Sequence, residues 1–286
     1  MIIKKVRAAY SMLSTKNRYI LADKRRPAQR GKVNIDWWIS PVEGTGINLG
    51  DGLAPTIVEW VLQRGSISRD DAKEGTKFLC TVGSILQAGL NDCTVWGSGL
   101  IDGGSSRLIV PRFKKMDIRA VRGPRTAETL RMRGYTCPGI YGDPAILMPL
   151  MYQPEDVERS EGVLFARHFK DKELFADDAF DMGTDDWRSY VDAVRRSSKV
   201  VTTSLHGIIL AECYGTPAVL VSSNRRDYSL FKYEDWYHST GRKAFPVAAT
   251  VDEACALDPA PLPSPLLLDE LLAGLLGAFP YDLYAG

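Results

Sequence analysis

The chain has 286 residues and a formal net charge of +1; 45% of its residues are hydrophobic and 25% are charged. This composition is typical of a globular protein with a substantial core, and the length allows two domains of ordinary size. The near-zero net charge argues against a nucleic-acid-binding protein, which normally carries a basic excess. Five cysteines show no metal-ligand spacing, so we expect reduced thiols and no metal site.

The N-terminal region does not resemble a secretion signal, because Lys4, Lys5 and Arg7 interrupt its first apolar residues. No apolar run approaches the roughly 20 residues that cross a bilayer. We therefore expect a cytoplasmic protein. The basic run over residues 16–32 is typical of a solvated surface, although it also allows peripheral contact with the inner face of the membrane.

Strands alternate with helices in the first half. Strands are predicted over residues 33–38, 77–82, 94–99 and 116–121, and a helix is predicted over residues 125–133. The strands end in turns that contain glycine, serine or arginine. This alternation is typical of a parallel sheet covered by helices.

A loop with several glycines, residues 44–52, follows the first strand. We predict a helix over residues 53–61, with Asp51 capping its first turn. Such a loop can bind an anion through backbone amides, but this one lacks the GxGxxG and GK[ST] patterns of dinucleotide and P-loop sites. Asn48 and Asp51 are placed to hydrogen-bond sugar hydroxyls.

A polar stretch over residues 151–161 predicts a linker. We therefore place an N-terminal α/β domain at residues 1–155 and a C-terminal α/β domain at residues 156–286. In the second domain, Arg167 and His168 follow a predicted strand at its carboxyl end.

Three segments complete the predicted second domain. Residues 231–236 form a loop or a short helix, residues 245–249 form a last strand, and residues 266–279 form an apolar helix that packs back on the body.

Residues 199–221 predict a strand, a hydroxyl-rich turn, a short helix and a second strand. His206 lies where the first of these strands passes into the helix. Unpaired N–H groups and the helix dipole favour an anion there, and ligands of open α/β sheets bind at the carboxyl ends of strands. A histidine that merely caps a helix is the alternative interpretation.

Four groups of residues, in this order along the chain, resemble the motifs of the polysaccharide pyruvyl transferase family, and in particular its succinoglycan-type branch. They are residues 48–51 (Asn-Leu-Gly-Asp), residues 95–99 (Val-Trp-Gly-Ser-Gly), residues 121–124 (Val-Arg-Gly-Pro) with 141–144 (Tyr-Gly-Asp-Pro), and residues 205–207 (Leu-His-Gly) with 215–217 (Gly-Thr-Pro).

The resemblance implies two Rossmann-like domains that face each other across a cleft, as in GT-B glycosyltransferases. It implies phosphoenolpyruvate as donor and a sugar diol as acceptor, on a cell-surface polysaccharide or its lipid-linked precursor. The product is a cyclic pyruvate ketal. No cofactor and no nucleic acid enter this chemistry.

The expected reaction needs a proton at the methylene carbon of the donor and cations for about three negative charges. His206 suits the proton transfer, because imidazole titrates near neutral pH. Arg122 suits anion binding, because its guanidinium group can form two parallel hydrogen bonds to a carboxylate or phosphate. The donor itself is expected to bind on the side of the C-terminal domain. Asp51 is expected to orient or deprotonate the acceptor hydroxyl.

The chain departs from many members of this family at one position. They have an arginine two residues before the histidine, whereas this chain has Ser204. Arg167 or Lys232 is the candidate replacement, and His168 matches the branch. The remaining expected substrate-binding residues are Gly50, Ser98 and Gly207.

Two other functions stay open at this stage. One is a nucleotide-sugar-dependent glycosyltransferase of the same architecture, in which an acid near Glu212 would bind ribose. The other is a non-catalytic protein that binds glycan or anion. We interpret Glu212 as structural, because no other nucleotide signal accompanies it.

Overall fold

The computed structural model describes residues 32–38, 47–68, 70, 77–86, 93–102, 115–154, 159, 162–222 and 230–284. Within these residues the chain forms two parallel β-sheets flanked by helices, which confirms the predicted mixed α/β class. The basic run up to residue 31 and the glycines of the 44–46 segment lie outside the described residues.

The first sheet has four parallel strands in the order β1-β2-β3-β4. Its strands are β1 (Val33–Asp36), β2 (Lys77–Cys80), β3 (Cys93–Trp96) and β4 (Met116–Ala120). Every residue of β3 is buried, so both faces of this strand are covered.

The second sheet has five parallel strands in the order β6-β5-β7-β8-β9. Its strands are β5 (Val163–Arg167), β6 (Phe180–Asp181), β7 (Lys199–Thr202), β8 (Ala218–Val221) and β9 (Val247–Ala248). The short strand β6 was not predicted, because two residues carry no periodic signal.

The α-helices are α1 (Leu49–Arg64), α2 (Pro124–Met132), α3 (Met148–Met151), α4 (Trp187–Arg196), α5 (Leu205–Cys213), α6 (Phe231–Ser239), α7 (Val251–Ala256) and α8 (Pro265–Gly277). Residues 231–236, predicted as a loop or a short helix, thus belong to a helix. None of the helices in the described ranges combines the length and the apolarity that crossing a bilayer requires.

The predicted start of the first helix was wrong by four residues. α1 begins at Leu49, and its N-cap is Asn48, whose side-chain oxygen accepts from the N–H groups of Gly50 and Asp51. Asp51 lies inside the first turn and does not cap the helix. The error arose because Gly50 and Gly52 have low helix propensity and hide the start of the helix in the sequence.

The two halves of the chain pack closely together. α1 contacts α5, and the N–H of Leu49 donates to the carbonyl of Met182 at 2.8 Å. One continuous cluster of buried apolar side chains contains residues of α1, α4, α5 and β7. The contact between α1 and α5 positions the site described next.

Candidate active site

The predicted site residues lie where strand ends from both sheets approach each other. β2 and β3 lead into the loops that carry Gly83 and Ser98, and β7 leads into the loop before α5. The N-terminus of α1 faces this region from the first half of the chain. Ligands of α/β proteins bind at this edge of a sheet.

His206 is the second residue of α5 and is only 6% exposed. The helix begins here because Ser204 is its N-cap, with Oγ accepting from the N–H of Gly207 at 3.2 Å. The imidazole lies directly over Gly50 of α1, where any Cβ would overlap Nδ1. Gly50 therefore allows α1 and His206 to approach each other. The predicted strand, turn, helix and strand around His206 are confirmed.

Asp143 lies on the other side of the His206 ring. Its Oδ2 is 3.5 Å from Nε2 of His206, and the side chain of Asp143 is fully buried. Neither of these two atoms has a hydrogen-bond partner in the described part of the chain. Oδ1 of Asp143 accepts from the N–H of Ala145 at 3.0 Å and caps the 3-10 turn Pro144–Leu147.

Asp51 is a partly buried carboxylate beside this pair. Its Oδ1 lies against Gly83, a glycine with φ +103° at which a side chain would overlap the carboxylate. Burial of the carboxyl group raises the pKa of Asp51 to about 6, although the positive charges of His206 and Lys232 act in the opposite direction. A carboxyl group with this pKa exchanges its proton close to neutral pH.

Asn48 links the two halves of the chain. Its Oδ1 caps α1, and its Nδ2 lies 3.1 Å from Nε2 of His168. The next residue, Phe169, stacks on Trp38 at the end of β1 with a centroid distance of 5.5 Å. These contacts place His168 opposite the start of α1.

A pocket lies next to His168. Its lining includes Lys170, Thr203, Lys232 and Tyr233, so both cationic and hydroxyl groups surround it. The positive charge of Lys232 also favours the ionised form of Asp51. Asp171 and three apolar side chains also line the pocket, so it combines two lysines with acidic, hydroxyl and apolar groups.

Arg122 is fully buried at the end of β4. Its Nε donates to Asp235 at 3.1 Å, and its terminal nitrogens donate to Oγ of Ser84 and to the carbonyl of Leu100, each at 2.6 Å. The guanidinium fork thus holds the protein's own groups in this structure. Anion binding by Arg122 stays a prediction.

The other predicted substrate-binding residues also have partners within the protein. Oγ of Ser98 donates to the carbonyl of Gly83, and Arg167 contacts the carbonyl of Ala176 and the carboxylate of Asp181. The structure thus brings His206, Asp51, Gly50 and Lys232 together, and it engages Ser98, Arg122, Arg167 and Ser204 in contacts that stabilise the fold. A side chain at Gly207 would crowd Thr202.

A family model described as polysaccharide pyruvyl transferase matches residues 88–225. Over these residues the chain is similar to the polysaccharide pyruvyl transferase family. The matched segment contains His206 and Asp143 together with His168, whereas Asp51 precedes it and Lys232 follows it. Membership of the succinoglycan-type branch stays a prediction.

The other comparisons add no functional information. A sequence search among curated proteins found no significant match. The chain is similar to a solved structure from Klebsiella pneumoniae subsp. pneumoniae NTUH-K2044, described as a functional uncharacterized protein. The two chains are 16% identical over 78% of this chain and 92% of the other, with a TM-score of 0.46. This similarity is too low to carry an argument.

Sequence reasoning missed the roles of Asp143 and Asp235. Both residues stood in segments noted for other reasons, Asp143 before a proline and Asp235 beside aromatic residues. Asp-Pro is a signal for a capped turn, which the structure contains. No local signal reveals that each carboxylate faces a basic side chain from a distant segment.

Proposed function

We propose that the protein transfers pyruvate from phosphoenolpyruvate to two hydroxyls of a sugar and forms a cyclic ketal. The acceptor is a cell-surface polysaccharide, such as an exopolysaccharide, or its lipid-linked precursor. The observation that carries the proposal is the cluster of Asp51, His206 and Asp143 beside Lys232. The family match of residues 88–225 supports the same reaction class.

The reaction begins with a proton that adds to the methylene carbon of the enol phosphate. The adjacent carbon becomes oxocarbenium-like, and a sugar hydroxyl attacks it and loses its proton to a base. Phosphate then leaves with the electron pair of its C–O bond, and the second hydroxyl closes the ring while its proton passes to the departing phosphate, which leaves as hydrogen phosphate. His206 supplies the acid, and Asp51, whose raised pKa of about 6 allows proton exchange near neutral pH, orients or deprotonates the acceptor.

The donor anion occupies the pocket lined by Lys232, Lys170 and His168. Two lysines at one pocket compensate for the arginine that Ser204 replaces. Of the two residues considered as replacements for this arginine, Lys232 is the stronger candidate, because its positive charge acts on Asp51. Arg167 is instead paired with Asp181. The proposed reaction requires no metal and no nucleotide.

The acceptor enters from the side of Asn48 and Asp51. We propose a GT-B-like arrangement with the domains at residues 1–155 and 156–286 and the acceptor on the first. If the acceptor is lipid-linked, the enzyme meets it in the cytoplasm at the membrane surface.

The structure gives no support to a nucleotide-sugar transferase. Glu212, the candidate ribose ligand, is buried, and its carboxylate accepts hydrogen bonds from Arg242 and from Nε1 of Trp236 at 2.6 to 2.7 Å. Because this carboxylate is already engaged on both oxygens, it is not placed to bind ribose hydroxyls.

The test is phosphate release by the purified protein from phosphoenolpyruvate in the presence of oligosaccharides that end in galactose or glucose. Proton NMR follows the methyl group of the ketal. We expect phosphate and ketal to appear together and only with an acceptor. His206→Gln should lower kcat by about 100-fold or more, since it removes the acid.

His238→Gln is the matched control. His238 lies in the last turn of α6, on the surface side, and outside the proposed site, so we expect near-normal kcat. Thermal stabilisation by phosphoenolpyruvate without any turnover would indicate a non-catalytic anion-binding protein instead. Stabilisation by nucleotide sugars alone would favour the glycosyltransferase.

A further inference from the structure

The contact between Asp143 and His206 bears on which nitrogen of the imidazole reacts. The structure assigns to Asp143 the positioning of His206 so that Nδ1, and not Nε2, exchanges the proton with the substrate. The identity of that substrate rests on the proposed function. The contact between Asp143 and His206, on which the assignment depends, is a feature of the protein and does not depend on the substrate.

Two buried polar atoms face each other where Asp143 meets His206. Oδ2 of Asp143 and Nε2 of His206 are both buried and 3.5 Å apart, and neither has a hydrogen-bond partner in the described segments, so each is the polar atom that faces the other. An ionised carboxylate oxygen can only accept a hydrogen bond. The neutral ring therefore keeps its proton on Nε2, directed at Asp143.

The carboxylate of Asp143 is held in place by contacts of its own turn. Its Oδ1 accepts from the N–H of Ala145, and the following Pro144 packs so closely against Gly97 that a Cβ there would overlap the proline ring. The carboxylate is thus fixed from its backbone side. It presents a single oxygen to His206.

The opposite side of the His206 ring, which carries Nδ1, faces the start of α1. Nδ1 lies over Gly50, next to Asp51, and only a glycine leaves room for it. Asp51 follows Gly50 in the same turn of α1, and the positive charge of Lys232 acts on Asp51, so the proposed acceptor and donor sites adjoin this side of the ring. With Nε2 directed at Asp143, Nδ1 is the nitrogen that remains for the substrate.

The proton balance is then simple. The imidazolium gives its Nδ1 proton to the methylene carbon, and the electron pair of the double bond forms the new C–H bond. The neutral ring, still protonated at Nε2, takes the proton of the attacking hydroxyl at the same Nδ1 while the C–O bond forms, so that Asp51 has the orienting role of the two proposed for it. Asp143 stays ionised throughout, as the carboxylate does in catalytic triads.

Asp143→Asn is the informative variant. Its amide oxygen can still accept from Ala145, so the capped turn survives, while the amide nitrogen faces Nε2 and donates to it. We expect the neutral tautomer of His206 to change from Nε2–H to Nδ1–H. The lone pair then points away from the substrate, and kcat should fall by about a hundredfold or more with little change in KM.

The measurement is 15N NMR of the full-length protein, in which only three histidines contribute imidazole signals. His206→Gln identifies the resonances of His206. Asp186→Asn is the matched control, because Asp186 also caps a helix through a hydrogen bond from a backbone N–H but lies on the exposed start of α4. It should leave both the tautomer and kcat unchanged.

The outcomes separate this assignment from the proposed function. An unchanged tautomer in Asp143→Asn overturns the assignment whatever happens to activity. A changed tautomer with unchanged kcat overturns the role of Nδ1. If the wild-type protein shows no pyruvyl transfer, the proposed function fails, while the tautomer still decides whether Asp143 positions the ring.

Discussion

At Asp51, the burial that allows proton exchange near neutral pH also lowers the unfolding free energy of the protein. Burial raises its pKa from 3.8 to about 6, so the folded protein holds this proton more tightly than the unfolded chain does. The unfolding free energy therefore decreases as pH rises between these two values, and the cost is complete above about pH 6.

We predict that Asp51→Asn stabilises the protein at pH 8 by about 1–3 kcal/mol, because the charge no longer has to be buried. The gain should disappear as the pH falls towards 4. Urea unfolding at several pH values measures it, and the same variant should lose pyruvyl transfer. Lower stability than wild type at pH 8 would contradict the account.

Asp186→Asn provides a comparison of opposite sign. Hydrogen bonds from Ser189 lower the pKa of Asp186, so its ionised form stabilises the folded state above the ordinary pKa. This variant should gain no stability at pH 8.

At the level of elements, Arg122 connects the end of β4 to α6. Its partner Asp235 also accepts from the N–H and the hydroxyl of Thr126 at the start of α2, at 2.9 and 2.6 Å. Gly123 allows this approach, because a Cβ there would overlap Asp235. The ion pair therefore fixes α6, and with it Lys232, against the first half of the chain.

We predict that Arg122→Lys lowers the unfolding free energy by about 2–4 kcal/mol, because an ammonium group cannot replace three hydrogen bonds of a buried fork. Urea unfolding measures the loss. Arg125→Lys is the control, since Arg125 pairs with Glu234 at a partly exposed site and should cost under about 1 kcal/mol.

Donor affinity adds a second readout to this variant. A higher KM for phosphoenolpyruvate without any loss of stability in Arg122→Lys would indicate that Arg122 binds the donor. A loss of stability with unchanged KM supports the structural role.

On the scale of the whole molecule, the C-terminal helix covers the first sheet. Nε1 of Trp96 in β3 donates to the carbonyl of Leu275 in α8 at 2.8 Å, and the ring of Phe279 meets Trp96 edge-on. Residues near the C-terminus thus complete a core that begins with β1. The core of the first sheet is therefore completed by residues from the last helix in the described ranges.

We predict that Trp96→Phe lowers the unfolding free energy by about 1–3 kcal/mol, because it leaves the carbonyl of Leu275 without its donor and opens a small void. Thermal or urea unfolding checks this. Trp60→Phe should cost less, since Trp60 is only partly buried on α1. Equal losses in the two variants would show that the contact with α8 contributes little.

Most of the longer elements, and the position of His206 at the start of a helix, could be predicted from the sequence. Buried strands such as β7 and β8, and the turn before α5, depend on neighbours a few residues away, and these are visible in one stretch of sequence. The same local signals misplaced the cap of α1, because the sequence offers both Asn48 and Asp51 and only the backbone decides between them.

Tertiary structure alone decided which charges meet. Arg122 and Asp235 are 113 residues apart, and Asp143 faces His206 from a different segment of the chain. Such pairs depend on how loops from the two halves pack, and no periodicity or turn signal encodes that packing. The same packing buries Asp51, an acidic residue in the first turn of α1, beside His206. This burial raises the pKa of Asp51 to about 6, in the range that proton transfer near neutral pH requires.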